Sequence, residues 1–540
     1  MQSSKLLFPV RKAQVAALLL ALYASGPVPS QAQVPGAPEA APVRPASLQL
    51  PTLGDGSEMT SAAERRLGDR IAREIYRDPD YIDDPVLAEY VQGIWQPLLA
   101  AARARGDLSA ELDERFAWEV MLGRDRTVNA FALPGGYLGL HLGLIAVVSS
   151  RDELASVMGH ELSHITQRHI SRLMAKQGQQ TPWMIGAMIL GILAASKSPD
   201  AGGALIVGGQ AVAAQTQLNF SRDMEREADR VGYGVMTQAG FAGQGFVSMF
   251  DKLQQASRLN DNGAYPYLRS HPLTTERIAD MQSRQPLGAA PSANAPLSAE
   301  HAMISARARV LSNPGVDALR SIGAEAQGVQ LATLPAARQA GVLYGAALAA
   351  SRLRDFETVA DCLKRLTAQV TTDAAALRLL RLLTLEVALA SGDNARAAAL
   401  LQTVSVGSGA DGGTGSTLRR PELFLNVQLA MQSGQVAQIS DAAQRLQVWV
   451  LAHPHDAQAW QLLSSASAAQ GQTLRAIRAD GEAQMELLDY AAALERFKAA
   501  QEQLRQARSG TVAADHIDAS IIDSRRRQVE LLLKEQALER

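Results

Sequence analysis

The 540-residue chain holds one cysteine, Cys362. No intrachain disulfide can form, and a cysteine-ligated metal cluster is excluded. Aromatic residues make up only 5% of the chain while alanine and leucine abound, a bias toward helices. Excess charge is also missing. The formal net charge of −2 removes the electrostatic basis for binding nucleic acid. Long hydrophobic runs are absent too: Ala13–Gly26, Pro182–Ser196 and Gly202–Gln215 all fall short of the ~20 residues that cross a bilayer. What remains is 47% hydrophobic and 20% charged, with length enough for several domains.

The first short apolar run has the form of an export signal. Lys5, Arg11 and Lys12 precede it, and small residues at Ser30–Ala32 follow, so cleavage is expected near Ala32. Residues 1–32 are then a signal peptide. Residues 33–49, rich in proline and alanine, form a flexible leader. The other two runs lie in the 182–215 stretch. Buried core helices are the default reading there, against a lid or a peripheral membrane contact that small residues and glycines would permit.

Apolar residues recur at helical spacing in Ser61–Arg77 and Pro85–Ala102. Aromatic and branched residues around Pro134–Gly136 predict short strands and a hairpin instead. Ser150–Gln177 reads as one helix capped by Ser150 or Asp152, and Ser221–Gly240 as a second. A breaker-rich stretch, residues 286–300, separates this block from the remainder. Residues 301–540 are almost wholly helical in pattern, and helix–Gly–helix units recur at Gly392, Gly434 and Gly471. The spacing is near the ~34-residue period of tetratricopeptide repeats, interrupted by a flexible insert at Ser405–Thr417. The reading is therefore a mostly α chain: a block at 50–285 carrying a small β-sheet, a linker at 286–300, and a helical solenoid at 301–540.

Within the first helix candidate stands "HELSH", His160 to His164. Residues four apart share a helix face, so both imidazoles can reach one metal ion, with Glu161 beside them. Zinc needs neutral nitrogen ligands and one open position. It lowers the pKa of bound water, whose proton Glu161 can accept. Satisfied core histidines are the plain alternative, but they leave a His-Glu-x-x-His face in an apolar helix unexplained. A third ligand is sought in Met224–Asp229. Glu225 and Asp229 share a face while Glu227 points away. Glu225 suits the metal and Asp229 suits a ligating histidine's other nitrogen, whereas a solvated charged helix is the competing reading. His271 precedes a proline, which favours a loop. Three readings stand for it: a fourth zinc ligand holding the enzyme latent, a donor to the tetrahedral oxyanion, or a loop anchor with Pro272 and Arg277. His169, five residues after His164, and His141 read as structural.

"HELSH" followed by "SRDMEREAD" resembles the M48 peptidases, zinc enzymes of the gluzincin type. The resemblance covers roughly residues 50–285. It implies one Zn2+ per chain on His160, His164 and Glu225, with Glu161 as catalytic base and Asp229 behind a ligand. It also implies that Asn129–Leu144 supplies an edge strand against which an extended substrate pairs. Export signal, peptidase and repeats together resemble periplasmic quality-control proteases. Their expected partners are unfolded or stalled outer-membrane β-barrel proteins, with the outer-membrane assembly machinery engaged through the repeats. A non-proteolytic periplasmic chaperone or scaffold acting through the repeats is the alternative.

Overall fold

Helix formation begins where the sequence supplies a cap. Thr60 accepts a hydrogen bond from the Ala63 N–H and opens α1 (Ser61–Arg77). Asp84 accepts from the Leu87 N–H at 2.9 Å and opens α2 (Pro85–Arg105), whose Pro85 lies in the first turn, where no amide donor is needed. The computed structural model describes residues 59–176, 220–258, 264–285, 297–407, 418–507 and 514–538. The export signal, leader and 182–215 stretch lie outside these residues, as do most of the 286–300 linker and most of the 405–417 insert.

The short α3 (Ala110–Arg115) leads into the sheet: β1 (Glu119–Gly123), β2 (Ala130–Leu133) and β3 (Tyr137–His141). β3 is central, parallel to β1 and antiparallel to β2. The expected hairpin is present, turning at Pro134–Gly136. Both glycines there have positive φ, 75° and 89°, and a Cβ on Gly136 would sit 2.7 Å from the Phe116 Cβ. Among the described residues the order leaves β2 at an edge, as expected.

After the sheet come α4 (Leu142–Val147), α5 (Arg151–Thr166), α6 (His169–Lys176), α7 (Arg222–Gln238), α8 (Gln244–Arg258), α9 (Tyr267–Ser270) and α10 (Thr275–Ser283). One expectation is corrected. The helix read as continuous over 150–177 breaks between α5 and α6, where Arg168 takes a φ of 52°. That conformation costs a non-glycine residue about 1–2 kcal/mol. It is held by Glu64, at 2.9 Å from the Arg168 Nε, and by the Met59 carbonyl.

Trp95, Ile94 and Leu98 of α2 and Leu154 and Met158 of α5 are fully buried, in a core that continues into α11 (Ala299–Ser312) through Met303 and Ile304. Ser305 on α11 donates to the Ala146 carbonyl at 2.7 Å, and His301 bonds both Tyr90 and the Val148 carbonyl. Helices then follow one another to Leu538. Gly392, Gly434 and Gly471, singled out in the sequence, each follow a helix in left-handed conformation, with φ of 78°, 66° and 71°. Each ends one helix and frees the chain to begin the next, the usual role of glycine beyond a C-terminus. The observed class is thus mostly α with a three-stranded sheet and a long helical array. Among the described residues no helix is long and apolar enough to cross a membrane.

Candidate metal centre

Ser150 begins α5 by accepting from the Glu153 N–H at 3.1 Å, and every residue from Glu153 to Thr166 is buried. Gly159 of α5 faces Gly232 of α7. A Cβ at Gly232 would come within 2.9 Å of the Gly159 backbone. The two helices meet backbone to backbone because both positions lack side chains. The crossing sets His160 and His164 opposite Glu225 and Asp229, which share one face of α7 as their spacing predicts.

His160, His164, Glu225 and His271 offer donor atoms that all lie within 4.8 Å of one another. His160 Nε2 is 3.0 Å from His164 Nε2 and 3.3 Å from His271 Nδ1. Each of the two α5 histidines places Nε2 at 3.5 Å from one Glu225 oxygen, and His271 Nδ1 is 3.0 Å from Glu225 Oε1. Nitrogen and oxygen ligands arranged tetrahedrally around zinc at ~2.0–2.1 Å stand ~3.3 Å apart. The donors therefore already have the spacing of a zinc shell.

A second observation agrees. Two buried carboxylate oxygens make no hydrogen bond, Glu161 Oε1 and Glu225 Oε2, and among the described residues no other carboxylate oxygen is so stranded. Glu225 Oε2 has Arg277 Nη1 at 2.9 Å, yet without hydrogen-bond alignment. A buried carboxylate oxygen without a hydrogen bond is costly, and among the described residues the only basic group within 3.5 Å of Glu161 Oε1 is the His271 imidazole. The donor set of imidazoles and carboxylate fits zinc.

The surroundings fix each group. Asp229 Oδ1 is 2.9 Å from His160 Nδ1, and Arg277 holds Asp229 by two bonds of 2.6 and 2.8 Å. Glu161 Oε2 accepts from the Ala132 N–H at 2.9 Å, so the edge strand β2 orients it and leaves Oε1 facing His271 Nε2 at 3.5 Å. Tyr267 stacks on His271 with ring centres 4.7 Å apart, and Phe220 lies against His164 at 4.0 Å.

The electrostatics follow. Burial acts to lower the His160 pKa, but Asp229 and Glu225 reverse this and raise it to about 9. Burial, then the charge of His160, drives His164 well below the ordinary imidazole range. Burial opposes ionisation of Glu225, yet the charge of His271 and the nearby His160 carry it well below the usual carboxylate range. Asp229 is likewise lowered against burial by Arg277 and His160.

All six residues singled out in the sequence, His160, Glu161, His164, Glu225, Asp229 and His271, gather here. His271 lies in a loop, as its proline predicts, yet it is buried. It follows α9 directly and is 2% exposed, packed beneath Tyr267. His169 differs more. The break at Arg168 turns it back toward the cluster, with Nδ1 2.9 Å from His164 Nδ1. Periodicity applied to an unbroken helix pointed it away. Arg277 and Phe220 carried no spacing signal as site residues, because their partners lie on other elements. His141 stays outside the cluster, bonded to Thr127 at 3.0 Å.

This arrangement defines a class. Residues 90–285 match peptidase family M48, so the chain carries a metalloendopeptidase domain of that zinc-using family. Its relatives are more particular. It is 29% identical to the beta-barrel assembly-enhancing protease of Yersinia pestis, over 85% of this chain and 87% of that protein. It is 32% identical to the Escherichia coli K12 protein of that name, over 44% of this chain and 47% of the relative. A Vibrio cholerae protein given the same name provisionally is 34% identical, over 61% of this chain and 66% of the relative. The chain thus spans from about half to most of the length of these relatives.

Proposed function

We propose that this chain is a zinc endopeptidase of the periplasm that cleaves misassembled outer-membrane β-barrel proteins. His160, His164 and Glu225 hold the metal. When bound, zinc supplies Lewis acidity toward a water molecule and toward the scissile carbonyl. Glu161 accepts the water proton at Oε1 and passes it to the leaving amine. The bond from Ala132 to Oε2 keeps Oε1 available, and it ties the base to the strand beside which an extended substrate would lie. Asp229, steadied by Arg277, holds the proton of His160 on Nδ1 and keeps Nε2 free to ligate. His271 brings Nδ1 into the ligand cluster, which favours a fourth ligand and a latent state over an oxyanion donor.

The observation that carries this reading is the unbonded Glu161 Oε1 beside a four-donor cluster. The export signal and the names of the relatives support the compartment and the barrel substrates. The test measures zinc content and cleavage of an unfolded β-barrel protein. Glu161→Gln should keep its zinc and lose about 10²–10⁴-fold in cleavage rate. Equal rates in the two proteins reject the assignment. Lost cleavage with barrel assembly preserved would show that the helical array assists assembly without proteolysis.

A further inference from the structure

The two zinc-site histidines of α5 are held from behind in different ways. His160 leans on an anion, Asp229, at 2.9 Å. His164 leans on another imidazole: its Nδ1 is 2.9 Å from His169 Nδ1, and both rings are buried. His169 Nε2 then lies 3.2 Å from Glu227 Oε2, which Arg172 also grips at 2.9 Å.

The direction of these bonds follows from proton count. A histidine that ligates through Nε2 carries its proton on Nδ1 and donates from there. His169 Nδ1 must then accept, so its own proton sits on Nε2 and is donated to Glu227. One tautomer of each ring satisfies the whole line, and a proton on His169 Nδ1 would set two N–H groups against each other. We propose that His169 is a positioning residue for the metal: it fixes the tautomer and angle of His164 and links that ligand to the Glu227–Arg172 pair at the protein surface. The inference rests on His164 being a ligand, as proposed above.

The fold is built to hold this contact. A residue five positions beyond His164 in an unbroken helix would point to another side. The left-handed Arg168 turns the chain so that His169 faces back. Arg168 is tied to Glu64 of α1, which is 2% exposed, and to the Met59 carbonyl. An unfavourable backbone conformation thus persists where it aims one ring. Phe220 lies near both imidazoles, with centres 4.0 Å from His164 and 6.1 Å from His169, and closes the pair on another side.

The experiment compares zinc affinity, by competition with a chromogenic chelator, for the full chain and its His169→Leu, His169→Asn and Glu227→Gln variants. The thermal midpoint of each metal-free protein is read in parallel. Removing such a partner typically costs 10–100-fold in metal affinity. His169→Leu should lose that much with the metal-free midpoint unchanged. His169→Asn keeps an acceptor oxygen near the Nδ1 position and should stay within about threefold of wild type. Glu227→Gln, which retains an acceptor at a partly exposed site, should shift affinity less than His169→Leu. Unchanged zinc affinity in His169→Leu overturns the inference. So does equal loss in His169→Leu and His169→Asn, or a loss matched by a fall in the metal-free midpoint. If the wild-type chain binds zinc tightly and only these results fail, the zinc-site reading survives. If the wild-type chain binds no zinc, both fail together.

Discussion

Two regions of this molecule bury charge, and they treat it differently. At the metal centre, carboxylate oxygens of Glu161 and Glu225 are buried without a hydrogen bond. Where α2 meets the helical array, carboxylates are claimed by arginine forks. Arg307 bonds Asp84 at 2.8 and 2.7 Å and Glu386 at 3.0 and 2.9 Å. Arg378 bridges Glu89 and Glu422, and Arg420 bridges Asp83 and Asp456. Each arginine joins the start of α2 to a helix further along the array. A planar guanidinium suits this double duty, because it offers five donors in a fixed fork. The seam is therefore satisfied internally, whereas at the centre Arg277 forks Asp229 and approaches Glu225, and Glu161 Oε1 and Glu225 Oε2 still lack a hydrogen bond. Donor atoms left without a hydrogen bond beside a four-donor cluster suit a ligand, and a seam whose carboxylates are all forked suits closure.

Changing one side chain in each region should show which region governs metal binding. Arg307→Ala leaves Asp84 and Glu386 without their shared partner at a buried position. Breaking such a pair costs about 3–5 kcal/mol. Urea unfolding should show that loss while zinc affinity, measured below the unfolding transition, stays as in wild type. A variant that unfolds at the wild-type midpoint would mean that the seam does not hold the array to α2, and the contrast between the regions would break.

Asp229→Asn should lower the zinc affinity that Arg307→Ala leaves unchanged. It keeps the shape but loses the charge that steadies His160. That affinity should fall 10–100-fold, and the metal-free protein should lose stability as well, because Arg277 keeps a buried charge whose partner is gone. An unchanged affinity would mean that Asp229 serves only its two bonds to Arg277, and the centre would then resemble the seam.

The parts of this contrast visible in the sequence are those set by local spacing. The i, i+4 pairs His160–His164 and Glu225–Asp229, the Pro134–Gly136 turn and the array glycines all express a period or a turn that few other residues can satisfy. The seam was not legible, because Asp84 and Arg307 are brought together only by the packing of α11 on α2 and α4, and a charge on a helix reads as solvated until its neighbour is known. The break at Arg168 was hidden for the same reason. It depends on Glu64, from a helix about a hundred residues earlier, so periodicity extended α5 through it and turned His169 the wrong way.

The seam also has a pH signature. Burial acts to raise the Asp84 pKa, but the charge and bonds of Arg307 bring it below its ordinary value. A depressed carboxylate contributes stability that is complete above the unfolded value of about 3.9 and is lost as pH falls through the folded one. Between pH 7 and pH 4 the wild-type contribution from Asp84 is therefore flat. Without Arg307, only the Leu87 N–H and the charge of Arg352 still oppose burial, and the Asp84 pKa should rise above its unfolded value. A raised carboxylate gains stability as pH falls, by at most about 1.4 kcal/mol per pH unit. The stability gap between wild type and Arg307→Ala, measured by urea unfolding at several pH values, should narrow from pH 7 toward pH 4. A constant gap would show that the variant keeps Asp84 charged by letting water in, and that the seam holds its closure through packing rather than through the arginine forks.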